Sequence, residues 1–497
     1  MGRGGDATAG GPAASGLRRR GGPAGGEGEG SLEARGEGAL GRVIKLEEIR
    51  RHKTKDDLWV SVHGKVYDVT RFVPKHPGGS MIYVKGGRDI SQLFDAYHPL
   101  RAQKVLQQFY IGELEGVREG RAFEQVQYEA DMGEGEFYRV LKERVERYFK
   151  DHRLDPRFSV AMYVKTTCIL AGLFLAYAGT FYAAATYAGA FLCAVLFGVC
   201  KAEIGVSIQH DANHGAYCKS KWLGDAIGCT LDMVGASSFM WKQQHVVGHH
   251  AFTNTQLDPD IRVGDDDIRR VTPEQPWSPK HRFQHLYLGL LYGLLSLKSV
   301  TVDDFKSLAD GHIGPTQLTA MEAWERAVFW GGKAFFYSAW YAAPAFLSPW
   351  SLGQLAGLWL VAEAVTGWLL AFMFQVAHVV EGVDWLRVDD RTGKVPTGWA
   401  AGQVATSADF CHGSWFWTHF SGGLNYQTAH HLFPGVCHCH YPAITPIIME
   451  TCAEFGLKYN VYATFPDAVR GHFKYLEKVG LEGVLDGAKI PSLHNVG

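Results

Sequence analysis

The sequence predicts a small α+β domain followed by an all-α membrane domain of about four transmembrane helices, capped on the cytosolic side by histidine-rich segments. Three observations carry that prediction. Short strand-like and helical pieces alternate between residues 43 and 115. A 35-residue run without a single charge, "TTCILAGLFLAYAGTFYAAATYAGAFLCAVLFGVC", lies inside 161–208. Three clusters drawn from 22 histidines adjoin the apolar segments.

Residues 1–42 are rich in Gly and Ala and nearly lack large apolar side chains, so they cannot offset the entropy of ordering and are expected to be a disordered tail. They contain no continuous apolar stretch of the secretory type. Asp6 stands where a myristoylation signal needs Ser or Thr. A formal net charge of -2 provides no global field for nucleic acid. The nine cysteines are scattered and form no CxxC knuckles, which argues against a disulfide framework or a cysteine-zinc site. Cys437 and Cys439 read as reduced thiols.

Within 43–115, "LWVSVHG" and "KVYDVT" read as strands and the intervening segments as short helices. Residues 116–160 follow as a linker with an amphipathic helix, "GEFYRVLKERVERYFK". From 161 to 208 only Lys165, Lys201 and Glu203 are charged. One span needs about 20 apolar residues, so this region fits two antiparallel helices with a turn near Ala183 to Tyr187. "LYLGLLYGLLSL", Leu286 to Leu297, reads as too short to span. Two further spans are expected at about 327–347 and 352–376, where Lys333 and Glu363 need a partner or a cavity. The membrane domain is taken to run over 161–480, with a tail at 481–497. An even number of spans places both termini, and all the histidine clusters, on one side.

In "VPKHPGG", His76 precedes a proline and two glycines, and in "FDAYHPL", His98 precedes a second proline. Histidines at the ends of two short helices can clamp a flat macrocycle, or they can be ordinary loop residues.

The first cluster, "QHDANHG", sets His210 and His214 on one helical face. The second, "QHVVGHH", carries His245, His249 and His250. On a regular helix the first two share a face, and His250 is turned about 100° from its neighbour. The third, "GLNYQTAHHLFP", contains Gln427, His430 and His431. Seven histidines exceed one tetrahedral zinc and suffice for two metal centres. Nitrogen-rich sites suit iron, whereas magnesium and calcium favour oxygen. HExxH and GxSxG motifs are absent, so hydrolytic readings lose their base or nucleophile. What remains is redox chemistry with O2 on a long apolar substrate, because amino-acid acids and bases do not cleave an unactivated C–H bond. Asp211, Asn213, Asp258 and Asp260 stand where they can orient imidazole protons, while Asp265 to Asp267 read as a solvated loop. Trp241, Trp415 and Trp417 suit either an acyl channel or the membrane interface.

Residues 43–115 resemble a cytochrome b5 domain, whose signature is HPGG with a second histidine downstream. The resemblance makes His76 and His98 the axial ligands of haem b, with no open iron position. From 43 onward the chain resembles a front-end fatty-acid desaturase with such a domain fused at its amino terminus. "HDANH", "HVVGHH" and "QTAHH" correspond to that family's three histidine boxes, and its second box tolerates two or three intervening residues. Gln427 occupies the front-end position of the third box, with a functional place beside the iron. Ala429, before the histidine pair, is a small departure. His378, in "FQVAHVVEG", corresponds to a further ligand at the last span's cytosolic end.

The resemblance implies two non-haem irons and O2 as co-substrate. It also implies an acyl-lipid or acyl-CoA substrate, NADH-cytochrome b5 reductase as electron donor, and the endoplasmic reticulum membrane rather than a plastid one. Within the group, "HVVGHHAFTN" and "HHLFPGVCHCHYPAI" look most like green-algal Δ5 enzymes acting on C20 chains, converting dihomo-γ-linolenate to arachidonate and eicosatetraenoate to eicosapentaenoate. Δ4, Δ6 or Δ8 desaturation, a fatty-acid or sphingolipid hydroxylase, and a haem-bearing electron carrier are the alternatives. The carrier leaves all three boxes unexplained.

Overall fold

The computed structural model describes residues 42–116, 126–129, 136–261, 267–272 and 274–481. The expected amino-terminal and carboxyl-terminal tails, and Asp265 and Asp266, lie outside them.

A five-stranded sheet forms the first domain: β1 (Val43–Ile44), β2 (Lys53–Thr54), β3 (Asp57–Val62), β4 (Lys65–Asp68) and β5 (Tyr110–Leu114), in the order β1-β5-β4-β3-β2. Only β1 and β5 run parallel. β3 and β4 are a hairpin registered Val60 to Tyr67, and its turn uses the left-handed region at His63 and Gly64. Leu58, Val60 and Val62 sit one side of β3 by alternation, and they pack with Tyr67 and Val69 against Phe94 of helix α1 (Ser91–Tyr97).

The linker helix α2 (Glu136–Asp151) buries Tyr138, Leu141, Val145 and Phe149, a stripe at three- and four-residue spacing. That stripe lies in one core with Trp399, Leu432, Ile444 and Ile448. Ala96 and Tyr97 of the first domain pack into the same core, so the two domains are joined through shared packing as well as through the chain.

Four helices among the described residues are long and apolar enough to cross a membrane: α3 (Val160–Ala183), α4 (Tyr187–Asn213), α6 (Pro279–Asp310) and α8 (Leu352–His378). The segment α5 (Lys242–His249) lies between the second and third of these. Leu175, Leu192, Leu290 and Leu360 of the four long helices are exposed, as expected of side chains that meet lipid tails.

One expectation needs correction. The third such helix is Pro279–Asp310, not 327–347, because flanking turns extend the short apolar run to 32 residues. Helix α7 (Ala323–Phe335) does continue through Phe336–Ala342 to Ala343–Leu347, but Lys333, the glycine pair Gly331–Gly332 and the amphipathic Tyr337, Trp340 and Tyr341 leave it less apolar than the four.

Small residues let the helices touch. A Cβ on Gly198 of α4 would lie 2.5 Å from Ala362 O of α8, and one on Gly367 would lie 2.6 Å from Tyr292 O. Two buried lysines at the helix contacts are paired. Lys201 of α4 forms an ion pair with Glu363 of α8, whose carboxylate also accepts from Ser296 Oγ at 2.8 Å and Tyr341 OH at 3.0 Å. Lys333 donates to Asp304 Oδ2 and Gly235 O, both at 2.6 Å, and to Val300 O at 3.0 Å. Both groups flagged by sequence thus have partners, which is the condition for burying an ionisable group.

Candidate metal centre and haem site

The first histidine box and His378 are delivered by the ends of long helices, and the other two boxes are carried on short helical segments. Helix α4 passes through a π turn at Ile204–Ile208 before reaching His210, and His214 follows as its C-cap. His378 is the last residue of α8. Gln427, His430 and His431 belong to the short helix α9 (Gln427–Leu432).

The second box is capped by Ser237, whose hydroxyl accepts from Met240 N, and runs on as a π-helix over α5. A π turn closes after about one residue more than an α turn. His250 is thereby brought round toward the face shared by His245 and His249, which absorbs the extra residue in "HVVGHH". Gly248 serves the same box. A Cβ there would lie 2.4 Å from Pro259 Cγ, so only glycine admits the Asp258–Asp260 loop this close.

All eight predicted histidines and Gln427 converge, and none is more than 3 % exposed. His210, His214, His245 and His430 form one group whose ligand atoms lie within 4.8 Å of one another. His249, His378 and His431 form a second on the same criterion. His250 stands between them: it groups with His430 of the first and His431 of the second, its Nε2 3.2 Å from His245 Nε2 and 3.1 Å from His430 Nε2. The Gln427 amide lies in the second group, with Nε2 2.7 Å from His378 Nε2 and 3.1 Å from His431 Nε2.

The outward-facing nitrogens are held by other groups. His245 Nδ1 donates to Asp260 at 2.7 Å and His249 Nδ1 to Asp258 at 2.8 Å. His378 Nδ1 donates to Thr406 O at 3.0 Å, and His431 Nδ1 to Gln403 Oε1 at 2.7 Å. With the proton fixed on Nδ1, each Nε2 presents its lone pair to the centre of the cluster.

Burial, then neighbouring imidazoles, push His214, His250, His430 and His431 well below the usual histidine range, so they stay neutral and able to ligate. His245 is also lowered by burial, against the pull of Asp260. His249 goes the other way: burial opposes its charge, but Asp258 outweighs it. His210 Nε2, His214 Nε2, His250 Nδ1 and Gln427 Oε1 are buried without a hydrogen-bond partner among the described residues. Orphaned acceptors in such numbers are costly unless a cation gathers them. Two nitrogen-rich groups fit iron, and hard oxygen-seeking cations do not fit here.

In the first domain His98 Nδ1 donates to Phe94 O at 3.1 Å, and its Nε2 faces His76 Nε2 at 3.4 Å. Bis-ligation needs roughly 4 Å, twice a metal–imidazole bond of about 2 Å. The two rings therefore fit one iron after a small separation. Gly78 makes room for the His76 ring: a Cβ there would lie 2.8 Å from Cε1.

Other sequence candidates fall elsewhere. Asp211 pairs with His438 Nδ1 at 2.9 Å rather than with a box histidine, and Asn213 donates to Gln209. Trp241 packs against His245, with ring centroids 4.6 Å apart, while Trp415 is exposed and Trp417 stacks on Phe465. Cys437 and Cys439 are free thiols. Gln403 and Tyr97, whose hydroxyl is 2.5 Å from His214 Nδ1, escaped the sequence reading because no local pattern marks them.

These features define a class: a membrane oxidoreductase that couples a b5-type haem domain to a buried cage of histidines. The cytochrome b5-like haem/steroid-binding model matches residues 45–115 and the fatty acid desaturase model matches 184–463. The chain belongs to the fatty acid desaturase family, in its front-end, acyl-lipid branch.

It is 49% identical over 445 residues to an acyl-lipid (8-3)-desaturase of Physcomitrium patens, covering 89% of this chain and 92% of that one. It is 34% identical over 449 residues to Delta(5) fatty acid desaturase A of Dictyostelium discoideum, covering 88% and 94%. An acyl-lipid (7-3)-desaturase of Chlamydomonas reinhardtii is 31% identical over 429 residues, covering 84% and 80%. The likeness thus extends to front-end enzymes of moss and slime mould and is not specific to green algae.

Proposed function

We propose that the protein is an O2-dependent Δ5 front-end desaturase of C20 polyunsaturated acyl chains, forming arachidonate and eicosapentaenoate. The convergence of Gln427 with the eight histidines in one buried cage is the observation that supports the reading most. The names of the moss and slime-mould relatives support the position. When bound, two irons supply an oxidant from O2 strong enough to abstract hydrogen from a methylene.

The chain's own residues have separate tasks. His210, His214, His245, His250 and His430 hold one iron; His249, His378 and His431 hold the other, with the Gln427 amide beside it. Asp258, Asp260, Gln403 and the Thr406 carbonyl fix the imidazoles' tautomers. Burial of the cage excludes water from the oxidising centre. His76 and His98 hold the haem through which electrons from NADH-cytochrome b5 reductase arrive. We divide the chain into a haem domain at 43–115, a linker at 116–160 and a membrane domain at 161–480. Endoplasmic reticulum residence with both termini cytosolic completes the proposal.

The test is expression in yeast fed one polyunsaturated acid at a time, with double bonds located by mass spectrometry. Arachidonate from dihomo-γ-linolenate is the expected product. New bonds only at Δ4, Δ6 or Δ8 would overturn the position, and a hydroxylated product would overturn desaturation itself.

A further inference from the structure

The haem ligand His98 and the cage ligand His214 belong to different domains, 116 positions apart in sequence, yet one residue connects them. Tyr97 is covalently adjacent to His98. Its hydroxyl lies 2.5 Å from His214 Nδ1, with the two rings at 19° and centroids 6.1 Å apart. His214 Nε2 in turn belongs to the group with His210, His245 and His430. The route from one metal ligand to the other crosses covalent bonds and a single hydrogen bond. It contains no gap through space, where electronic coupling decays most steeply.

The docking that creates this contact is built. Tyr138 of α2 donates to Leu432 O at 2.7 Å, next to His431, and lies 3.4 Å from Asp95 O of α1. Lys142 donates to Asp95 O and, at 3.0 Å, to His98 O. Glu146 accepts from Leu100 N at 3.1 Å, and Arg88 donates to Gln317 at 2.6 Å. The linker helix thus clamps the carboxyl end of α1 against the third box.

We propose that Tyr97 is the electron relay from the haem to the histidine cage, through His214; this rests on the diiron reading above. In each transfer the ferrous haem loses one electron and becomes ferric, and one ferric non-haem iron gains it and becomes ferrous. With His214 ligating through Nε2, its Nδ1–H donates to the Tyr97 oxygen, and the phenol keeps its own proton. No proton leaves the pair, so the step is electron transfer alone. The reduced flavoprotein that serves the haem restores it afterwards, and O2 consumes the electrons at the cage.

Stopped-flow spectroscopy tests the relay on the full-length protein in detergent. Enzyme with dithionite-reduced haem is mixed with O2 and acyl substrate, and decay of the ferrous haem band is followed, with chelator-treated enzyme as background. Wild type should show a rapid phase that requires non-haem iron. Tyr97→Phe, which keeps the ring and removes only the hydroxyl, should slow that phase on the order of tenfold per iron-loaded molecule, with the haem spectrum unchanged. Tyr97→Leu should slow it further. A rapid phase equal to wild type in both variants, or one that falls only in proportion to lost iron, overturns the relay and leaves the desaturase reading intact. Absence of any iron-dependent phase in wild type overturns the diiron reading and the relay together.

Discussion

Replacing Lys201 by Met tests what holds the two ligand-bearing helices together. Lys201 is 2 % and Glu363 7 % exposed at the side chain, and they tie α4, which ends at His210 and His214, to α8, which ends at His378. Breaking a buried pair from one side costs about 3–5 kcal/mol, because the remaining charge is left uncompensated. Here Glu363 keeps its hydrogen bonds from Ser296 and Tyr341, which places Lys201→Met near the lower figure, about 3 kcal/mol.

Adding Glu363→Gln removes the stranded charge and keeps an acceptor oxygen for one hydroxyl, while its amide NH2 donates to the oxygen of the other. The double variant should therefore recover most of the loss. For a large domain each kcal/mol shifts the midpoint by roughly 2 °C, so K201M should melt about 6 °C below wild type. Thermal unfolding in detergent at one fixed scan rate, with iron content measured in parallel, provides the readout. A K201M midpoint equal to wild type, or a K201M/E363Q variant as unstable as K201M, would refute the reasoning.

Four further outcomes follow from the two sites. His76→Ala should abolish the low-spin haem spectrum while leaving non-haem iron bound, as read by optical absorption and metal analysis. Asp258→Asn and Asp260→Asn should each weaken iron binding by about 10- to 100-fold, since each removes the group that fixes a ligand's tautomer; chelator competition measures it. Gly248→Ala should cost about 1–3 kcal/mol of overpacking against Pro259 and lower the iron content with it, seen in the thermal midpoint and by metal analysis. Gln427→Ala should abolish product in the yeast assay, and full turnover would remove that amide from the site.

The box histidines were legible because ligand clusters recur at helical spacing beside uncharged runs. HPGG was legible as a haem site only through the cytochrome b5 resemblance, since proline and glycine by themselves mark a turn and a close backbone approach without naming a ligand. Asp258 and Asp260 could be read from their place just after the second box. Asp211 was misplaced because its partner, His438, is 227 positions away and nothing local points to it. The third long helix was hidden for a different reason. Its central apolar run is short, and polar flanks lengthen it only through the turns they adopt. Tyr97 and Gln403 carry no local pattern: Tyr97 meets His214 only through the docking of the two domains, 117 positions apart, and Gln403 meets His431, 28 positions away, only through the fold of the membrane domain.

The π-helical second box has a consequence for how this site tolerates change. Its surplus residue is held in the pitch of one turn rather than in a loop, so losing it would let the turn tighten to α geometry with His245, His249 and His250 still converging. The two spacings of the box are then one arrangement written at two pitches, interconverted by the loss or gain of a single codon. A cage of buried histidines, which permits almost no substitution, can thereby still accept an insertion.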